Sequence, residues 1–143
     1  MTNSNSPATA SWIALFRAQK RARTAIDNAL NSANLPPLEQ YDVLWALEQA
    51  MPLGLRPYEL EQAVLLPQHG ISRLTSQMVK QDLLVRLPCP DDKRGFRLVP
   101  SDSGLQLRQR MWKIYRPVIT EFFQAKLAPD EVQELTQLLC RTG

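Results

Sequence analysis

The segment from Gln68 to Lys80 combines side chains that can hydrogen-bond to the bases and phosphates of a nucleic acid. The candidates are Gln68, His69, Ser72, Arg73, Ser76, Gln77 and Lys80. At about 3.6 residues per turn, those from His69 onward lie on the side of a helix opposite Ile71, Leu74 and Met78. The polar side carries no acidic residue, whereas an ordinary solvated helix face mixes both signs of charge. The pattern predicts a helix over about residues 67–82, whose polar side is either a contact face or simple solvated surface.

A basic β-hairpin is predicted directly after this helix. Residues 85–87 and 96–99 alternate apolar and polar side chains, and the turn-rich residues 88–95 separate them. The charged residues of the hairpin are Arg86, Asp91, Asp92, Lys93, Arg94 and Arg97. Residues 67–100 hold six basic and three acidic residues, whereas residues 35–66 hold one basic and five acidic residues. This uneven distribution favours a local anionic partner over a uniformly basic surface.

The remaining elements are predicted to be almost entirely helical. The 143 residues, 44% of them hydrophobic, suffice for one compact domain or for a small domain with arms. Helical spacing covers residues 11–32, 38–50 and 57–65, and two further helices begin at the N-cap Ser101 and at Pro129. Pro117 predicts a kink or a break in the first of these two, and residues 1–10 are predicted to be disordered. The expected fold class is mainly α with a small β-hairpin (α+β).

Several functional classes find no support in the sequence. It contains no motif of a nucleotide-binding, hydrolase or metalloprotease site, so we do not expect an enzyme. One histidine and two distant cysteines, Cys89 and Cys140, cannot complete a zinc site, so no metal or cofactor is expected. No apolar run is long enough to cross a membrane, and the polar N-terminus does not resemble a signal peptide. The low cysteine content favours a reducing compartment, and a cytoplasmic location is therefore expected.

Five short segments, in their order and spacing, resemble the MarR (multiple antibiotic resistance regulator) transcription factors. They are Leu35-Pro-Pro-Leu-Glu-Gln-Tyr-Asp-Val-Leu, Pro57-Tyr-Glu-Leu, Ile71-Ser-Arg-Leu, Pro88-Cys-Pro-Asp-Asp-Lys-Arg and Ser101-Asp-Ser-Gly. The most specific feature is Asp92-Lys93-Arg94 at a hairpin tip, about twenty residues after Arg73. The resemblance implies a winged helix-turn-helix over residues 35–104, with N- and C-terminal helical dimerisation regions at residues 11–34 and 105–143.

The same resemblance implies a dimeric transcriptional regulator that binds a pseudo-palindromic operator in double-stranded DNA and represses transcription. The helix over residues 67–82 is then the recognition helix in the major groove, and the hairpin over residues 85–99 is the wing. Arg94 is expected to enter the minor groove, where negative potential is concentrated. Phosphate contacts are expected from Arg86, Lys93 and Arg97. Asp92 is expected to brace Arg73 or Arg94 and so to hold the wing against the recognition helix.

Four positions depart from the family pattern. Pro67 stands at the expected cap of the recognition helix, Gly70 falls in its first turn, and Arg56 replaces the usual cap before Pro57. Asp82 stands where the helix usually ends in glycine, although aspartate adopts the left-handed conformation more easily than most residues. These departures leave open an alternative, a winged-helix protein-interaction module that has lost specific DNA binding. Oxidant sensing is less favoured, because peroxide-sensing members place their reactive cysteine near the N-terminal helix, where this chain has none.

Members of the family also bind small lipophilic effectors, often phenolic or anionic, between the dimerisation helices and the DNA-binding lobe. The resemblance therefore implies an effector cavity lined by Arg17, Tyr41, Trp45 and Trp112. Core packing explains the same aromatic residues, so both interpretations stay open at this point. The expected partners are operator DNA, a second copy of the chain and a small aromatic effector.

Overall fold

The computed structural model describes residues 6–67 and 69–143, which form six helices and one two-stranded antiparallel hairpin. In chain order the elements are α1 (Pro7–Ser32), α2 (Leu38–Gln49), α3 (Pro57–Ala63), α4 (Ile71–Lys80), β1 (Leu84–Cys89), β2 (Asp92–Pro100), α5 (Asp102–Gln124) and α6 (Pro129–Cys140). The fold class predicted from the sequence, mainly α with a small hairpin, is confirmed.

The elements form two compact units. The first contains the described residues up to Ala33 together with Ile114–Gly143. The second unit is Asn34–Lys113, which contains α2, α3, α4, the hairpin and the first part of α5. Within the described ranges, no helix combines the length and the apolar character that crossing a bilayer requires.

α1 begins earlier than the sequence predicted. Ser6 is its N-cap, and the Ser6 Oγ accepts a hydrogen bond from the N–H of Thr9 at 3.1 Å. Because this bond satisfies one of the unpaired donors of the first turn, the helix can start at the proline that follows Ser6. The disorder predicted over residues 1–10 was therefore wrong for residues 7–10, whereas residues 1–5 lie outside the described part of the chain.

α2 forms the centre of the second unit, because it is buried on nearly all sides. Leu44 and Leu47 are fully enclosed. Asp42 is buried as well, and its two carboxylate oxygens accept hydrogen bonds from the N–H groups of Leu65 and Leu66 at 3.0 and 2.7 Å. This carboxylate therefore satisfies the backbone of the turn between α3 and α4 and holds that turn on α2. Other fully enclosed side chains of the unit are Val43, Leu60, Met78, Leu98 and Met111.

α4 is shorter than the helix predicted over residues 67–82. Gly70, not Pro67, is its N-cap residue, and Gly70 is left-handed with a φ of 76°. Glycine adopts this φ without strain because it has no Cβ, so the chain can turn sharply into the helix. After the helix ends at Lys80, Asp82 adopts the left-handed conformation with a φ of 61°, which aspartate tolerates more easily than most residues.

The hairpin strands are longer than predicted. Cys89 lies opposite Asp92 in the register, so the turn predicted over residues 88–95 was wrong and is reduced to the two residues between them. Pro88 cannot donate to a strand partner, and an irregularity in the register follows it directly. This irregularity allows the two strands to continue to the tip.

The base of the hairpin is joined to the segment before α3. The N–H of Leu55 donates to the carbonyl of Leu98 at 3.1 Å, and the N–H of Leu98 donates to the carbonyl of Leu55 at 2.8 Å. Gly54 has a φ of 81°, and a Cβ there would lie 2.5 Å from the carbonyl oxygen of Leu98. The close approach therefore requires glycine, and it fixes the base of the hairpin to the second unit.

α5 continues through Pro117, so the break that the sequence allowed is absent. The proline removes the N–H that would bond to the carbonyl of Lys113, and both residues are exposed, so that water can satisfy this carbonyl. Ser101 caps the helix as predicted, because its Oγ accepts a hydrogen bond from the N–H of Gly104 at 3.0 Å. The boundary between the units falls after Lys113, later than the sequence suggested, since the first part of α5 is buried in the second unit.

Candidate nucleic-acid interface

α4 has one buried side and one exposed polar side. Ile71, Thr75 and Met78 are buried, and the Thr75 hydroxyl donates to the carbonyl oxygen of Ile71 at 2.9 Å. The exposed residues of the helix are Ser72, Arg73, Gln77 and Lys80, with Ser76 half-buried beside them. His69 is exposed in the turn before the helix, while Gln68 lies outside the described residues. The exposed side therefore offers hydroxyl, amide and cationic groups without an acidic side chain among them.

Arg86 connects the hairpin to α4. Its Nη2 donates to the Oγ of Ser76 at 3.2 Å, and its guanidinium lies 5.1 Å from the ring centroid of Phe96. The planar guanidinium stacks on the ring with its face and donates a hydrogen bond with its edge, and these two contacts together fix its orientation. Two residues that the sequence assigned separately to the helix and to the wing are thus brought into contact.

The tip of the hairpin faces the N-terminus of α3. Lys93 and Arg94 are exposed there. Asp92 accepts a hydrogen bond from the N–H of Arg94 at 3.0 Å, and its Oδ2 lies 3.7 Å from Nη1 of Arg56. The sequence predicted that Asp92 braces Arg73 or Arg94, and Asp92 does contact the backbone of Arg94. Among the described ion pairs its partner is instead Arg56, because the tip is next to the start of α3, with which it shares the lining of a surface cavity.

Arg97 is directed toward the body of the second unit. Its Nη1 lies 3.5 Å from Oε1 of Glu59 and donates to the carbonyl of Gly54 at 3.4 Å. The side chain is 24% exposed. The sequence assigned Arg97 to phosphates, but its guanidinium is engaged by two groups of its own chain.

Three of the four residues predicted to line an effector cavity form one cluster around Arg108. The rings of Tyr41 and Trp112 stack with centroids 6.1 Å apart and an interplanar angle of 23°. The guanidinium of Arg108 lies 5.9 Å from the Tyr41 ring centroid and 5.7 Å from that of Trp45, and it pairs with Glu48. Burial raises the pKa of the Tyr41 hydroxyl, while the hydrogen bond and the charge of Arg108 oppose this effect.

Arg17, the fourth of these residues, belongs to the first unit. It lines a surface cavity of about 480 Å³ along α1, together with Lys20, Arg23 and Asp27. The two cysteines differ in exposure, Cys89 being buried and Cys140 exposed. Within residues 6–67 and 69–143, no group of histidine, cysteine and carboxylate side chains is arranged to hold a metal ion.

Residues 33–95, which include α2 to α4 and the hairpin tip, match the sequence model of the MarR family. Over these residues the chain is similar to the MarR family. No curated protein sequence is significantly similar to the chain.

Solved structures of MarR-family proteins have the same fold as this chain. A mutant of E. coli MarR complexed with operator DNA has a TM-score of 0.77 at 21% identity, over 90% of this chain and 89% of that one. Sco3205 of Streptomyces coelicolor, also in complex with DNA, has a TM-score of 0.76 at 21% identity, over 92% and 82% of the two chains. BpsR of Bordetella bronchiseptica has a TM-score of 0.80 at 19% identity, over 97% and 94%. The chain therefore has the winged-helix fold of MarR-family transcriptional regulators.

The sequence did not predict the charged residues that form contacts between elements of the second unit. Arg56 and Glu59 stand at the start of α3 and face the hairpin, and Glu48 and Arg108 complete the aromatic cluster. A signal for Arg108 existed, since it lies between Leu107 and Met111, two apolar residues one helical turn apart that are both buried. For Arg56, the signal was its unusual position as an N-cap, where it has no acceptor atom to offer.

Proposed function

We propose that the protein is a homodimeric MarR-family repressor that binds pseudo-palindromic double-stranded DNA through the α4–wing surface. The described residues of this surface are His69, Ser72, Arg73, Ser76, Gln77, Lys80, Arg86, Lys93 and Arg94, and the sequence adds Gln68, which lies outside the described residues. The observation that carries the proposal is the hydrogen bond between Arg86 and Ser76, which makes the exposed side of α4 continuous with the basic hairpin.

The chemistry of the α4–wing surface suits two grooves of the same duplex. α4 enters the major groove, where Gln77 and Ser72 hydrogen-bond to base edges and Arg73 bonds to guanine or to a phosphate. Arg94, exposed on a thin hairpin, reaches the adjacent minor groove, while Lys93 contacts phosphates. Arg97 is left out of this surface, because Glu59 and the backbone already engage it.

A second copy of the chain covers the apolar side chains that the first unit leaves exposed. Trp12, Leu15 and Phe16 on α1 are 45–59% exposed, and Leu138 and Leu139 on α6 are 41–49% exposed. Apolar groups clustered in this way on a small protein favour a partner, and a two-fold axis lets one surface cover itself. Such a dimer presents two α4 helices about one turn of DNA apart.

A small phenolic or anionic effector binds at the aromatic cluster and lowers the affinity for DNA. The rings of Tyr41, Trp45 and Trp112 supply stacking surfaces, and Arg108 supplies a cation. The regulation of DNA binding in BpsR by 6-hydroxynicotinic acid supports this class of ligand.

Selection of bound sequences from random duplex DNA tests the function. The expected product is an inverted repeat with half-sites about one helical turn apart, bound with an affinity that falls steeply as salt rises. Lys80→Ala weakens this binding, whereas Lys126→Ala, an equally exposed lysine in the first unit, is the matched control and leaves it unchanged. Failure to enrich any motif contradicts a sequence-specific repressor and favours a winged-helix module that binds another protein.

A further inference from the structure

Two ion pairs join the wing to the start of α3. Nη1 of Arg97 lies 3.5 Å from Oε1 of Glu59, and Nη1 of Arg56 lies 3.7 Å from Oδ2 of Asp92. Arg97 is opposite Leu87 in the middle of the hairpin, whereas Asp92 is the first residue of β2 at the tip. The start of α3 therefore contacts the wing at two places, its middle and its tip, in addition to the backbone bridge between Leu55 and Leu98 at the base of the hairpin.

The two pairs are parts of one continuous network. The Oε1 atom of Glu59 that faces Arg97 also accepts a hydrogen bond from the backbone N–H of Arg56 at 2.8 Å. At the other end, Asp92 uses Oδ2 for Arg56 and Oδ1 for the N–H of Arg94 at 3.0 Å. The chain of contacts thus ends on the backbone of the residue that is proposed to enter the minor groove.

At the tip, the ion pair lies beside open space. The start of α3 and the tip line a surface cavity of about 470 Å³, with Tyr58 and Phe96 among its walls. Because no apolar side chain of the described residues fills this space, packing among them does not fix the distance between the tip and α3 there. The link that remains across the cavity is the contact between Arg56, 24% exposed, and Asp92, 47% exposed.

An arginine is a poor choice for helix capping. Arg56 is the N-cap residue of α3 and makes no capping bond with its side chain, because a guanidinium has no acceptor. A serine or threonine at this position would cap the helix but could not reach a carboxylate on the wing. The side chain of Arg56 therefore contacts the wing and does not cap the helix.

We infer that Arg56 is a positioning residue for DNA binding: through Asp92, it holds the wing tip and Arg94 in the orientation that reaches the minor groove. The inference rests on the proposed function. Arg56 does not contact DNA in this arrangement, and Arg97 with Glu59 stabilises the same wing from the middle of the hairpin.

Two measurements on the full-length chain test the inference. The first is the affinity for the selected operator of Arg56→Gln, Asp92→Asn and the double variant, as a function of salt. Glutamine and arginine are both poor N-caps, so the capping of α3 is unchanged. Asparagine keeps an oxygen for the N–H of Arg94 but loses the charge that attracts Arg56. The second measurement is the set of backbone amide order parameters of residues 92–95 in the DNA-free protein.

Arg56→Gln is expected to weaken binding about two- to fivefold, the range of a partly exposed ion pair. It leaves the salt slope unchanged and lowers the order parameters of residues 92–95. In the Asp92→Asn background it has no further effect on affinity, and Arg56→Lys restores part of the loss. Arg94→Gln is the control for a direct contact, because it lowers the salt slope and its effect persists in the Asp92→Asn background.

Each unfavourable result has a distinct meaning. An equal loss from Arg56→Gln with and without Asp92→Asn overturns the inference, and so do unchanged order parameters. If the unaltered chain binds no DNA, the proposed function fails instead, and the order parameters alone decide whether Arg56 holds the tip.

Discussion

The rings of Trp12 and Phe16 lie one helical turn apart on α1, with centroids 4.5 Å apart and an interplanar angle of 86°. This edge-to-face pair is 59% and 53% exposed, so it forms an ordered apolar surface without a cover in the single chain. The pair is part of the surface that the proposed dimer would cover.

Phe16→Glu is therefore expected to convert the dimer to a monomer at micromolar concentration, because a carboxylate in a dry interface lacks a partner. Sedimentation velocity measures the change. Leu53→Glu is the matched control, since Leu53 is 64% exposed but lies in the second unit, and this variant stays dimeric. A monomeric unaltered chain would contradict the proposed architecture.

Arg94→Ala is expected to weaken DNA binding for all sequences and to reduce the salt slope by about one counterion. The reason is that an exposed guanidinium on the wing binds through its charge rather than through base edges. Anisotropy titrations of labelled duplex at several salt concentrations measure both quantities. Unchanged affinity in a correctly folded variant would show that the wing does not contact DNA.

Gln77→Ala is expected to change base preference instead of affecting all duplexes equally. Gln77 is exposed on α4, and an amide side chain that bonds bidentately to adenine contributes about 1–3 kcal/mol of discrimination. Competition between the selected operator and single-base variants locates the affected position. A uniform loss over every variant would assign Gln77 to a phosphate.

Local patterns in the sequence were sufficient for the order of elements and for some of their ends. Ser101 as the cap of α5 is a property of a short segment, and it was predicted correctly. The start of α4 was not, because it depends on how the carboxylate of Asp42 holds a turn more than twenty residues away in the sequence.

The candidate site shows the same limit. The exposed side of α4 follows from helical spacing, and the presence of Lys93 and Arg94 at a hairpin tip follows from the motif. The pairing of Asp92 with Arg56 does not, because it depends on which element the folded hairpin approaches. Spacing along a chain contains no information about contacts between charged residues on different elements.

The stability of the protein is expected to fall at alkaline pH through Tyr41. Burial raises the folded-state pKa of this hydroxyl above its ordinary value of 10.0, so the folded state keeps the proton more tightly than the unfolded state does. The resulting stabilisation is fully present below pH 10 and is lost as pH rises through the folded-state pKa.

Urea unfolding of the unaltered chain and of Tyr41→Phe between neutral pH and pH 11 measures this effect. The two free energies of unfolding differ less as the pH rises above about 10, because phenylalanine has no proton to lose. Tyr58→Phe is the control for the same substitution at a side chain that is 64% exposed. A constant difference between Tyr41→Phe and the unaltered chain would contradict the burial of a neutral hydroxyl.

An effector is expected to act by changing the separation of the two recognition helices rather than by covering them. Trp112 stacks on Tyr41 of α2 and lies on α5 directly before the boundary between the two units, through which the helix continues. We expect a small molecule inserted beside these rings to shift the residues that carry α4. Because a dimer reads two half-sites at a fixed distance, a shift of a few ångströms takes one α4 out of register.

Thermodynamic linkage between effector binding and DNA binding provides a test of this mechanism. If the effector weakens DNA binding by some factor, operator DNA must weaken effector binding by the same factor. Titration of small aromatic acids such as salicylate, followed by tryptophan fluorescence with and without operator, measures that factor directly. Trp112→Phe is expected to reduce the fluorescence change, whereas Trp12→Phe, in the first unit, retains it. Equal effector affinities in the presence and absence of operator would contradict the mechanism, and the protein would then be a regulator that does not respond to this class of ligand.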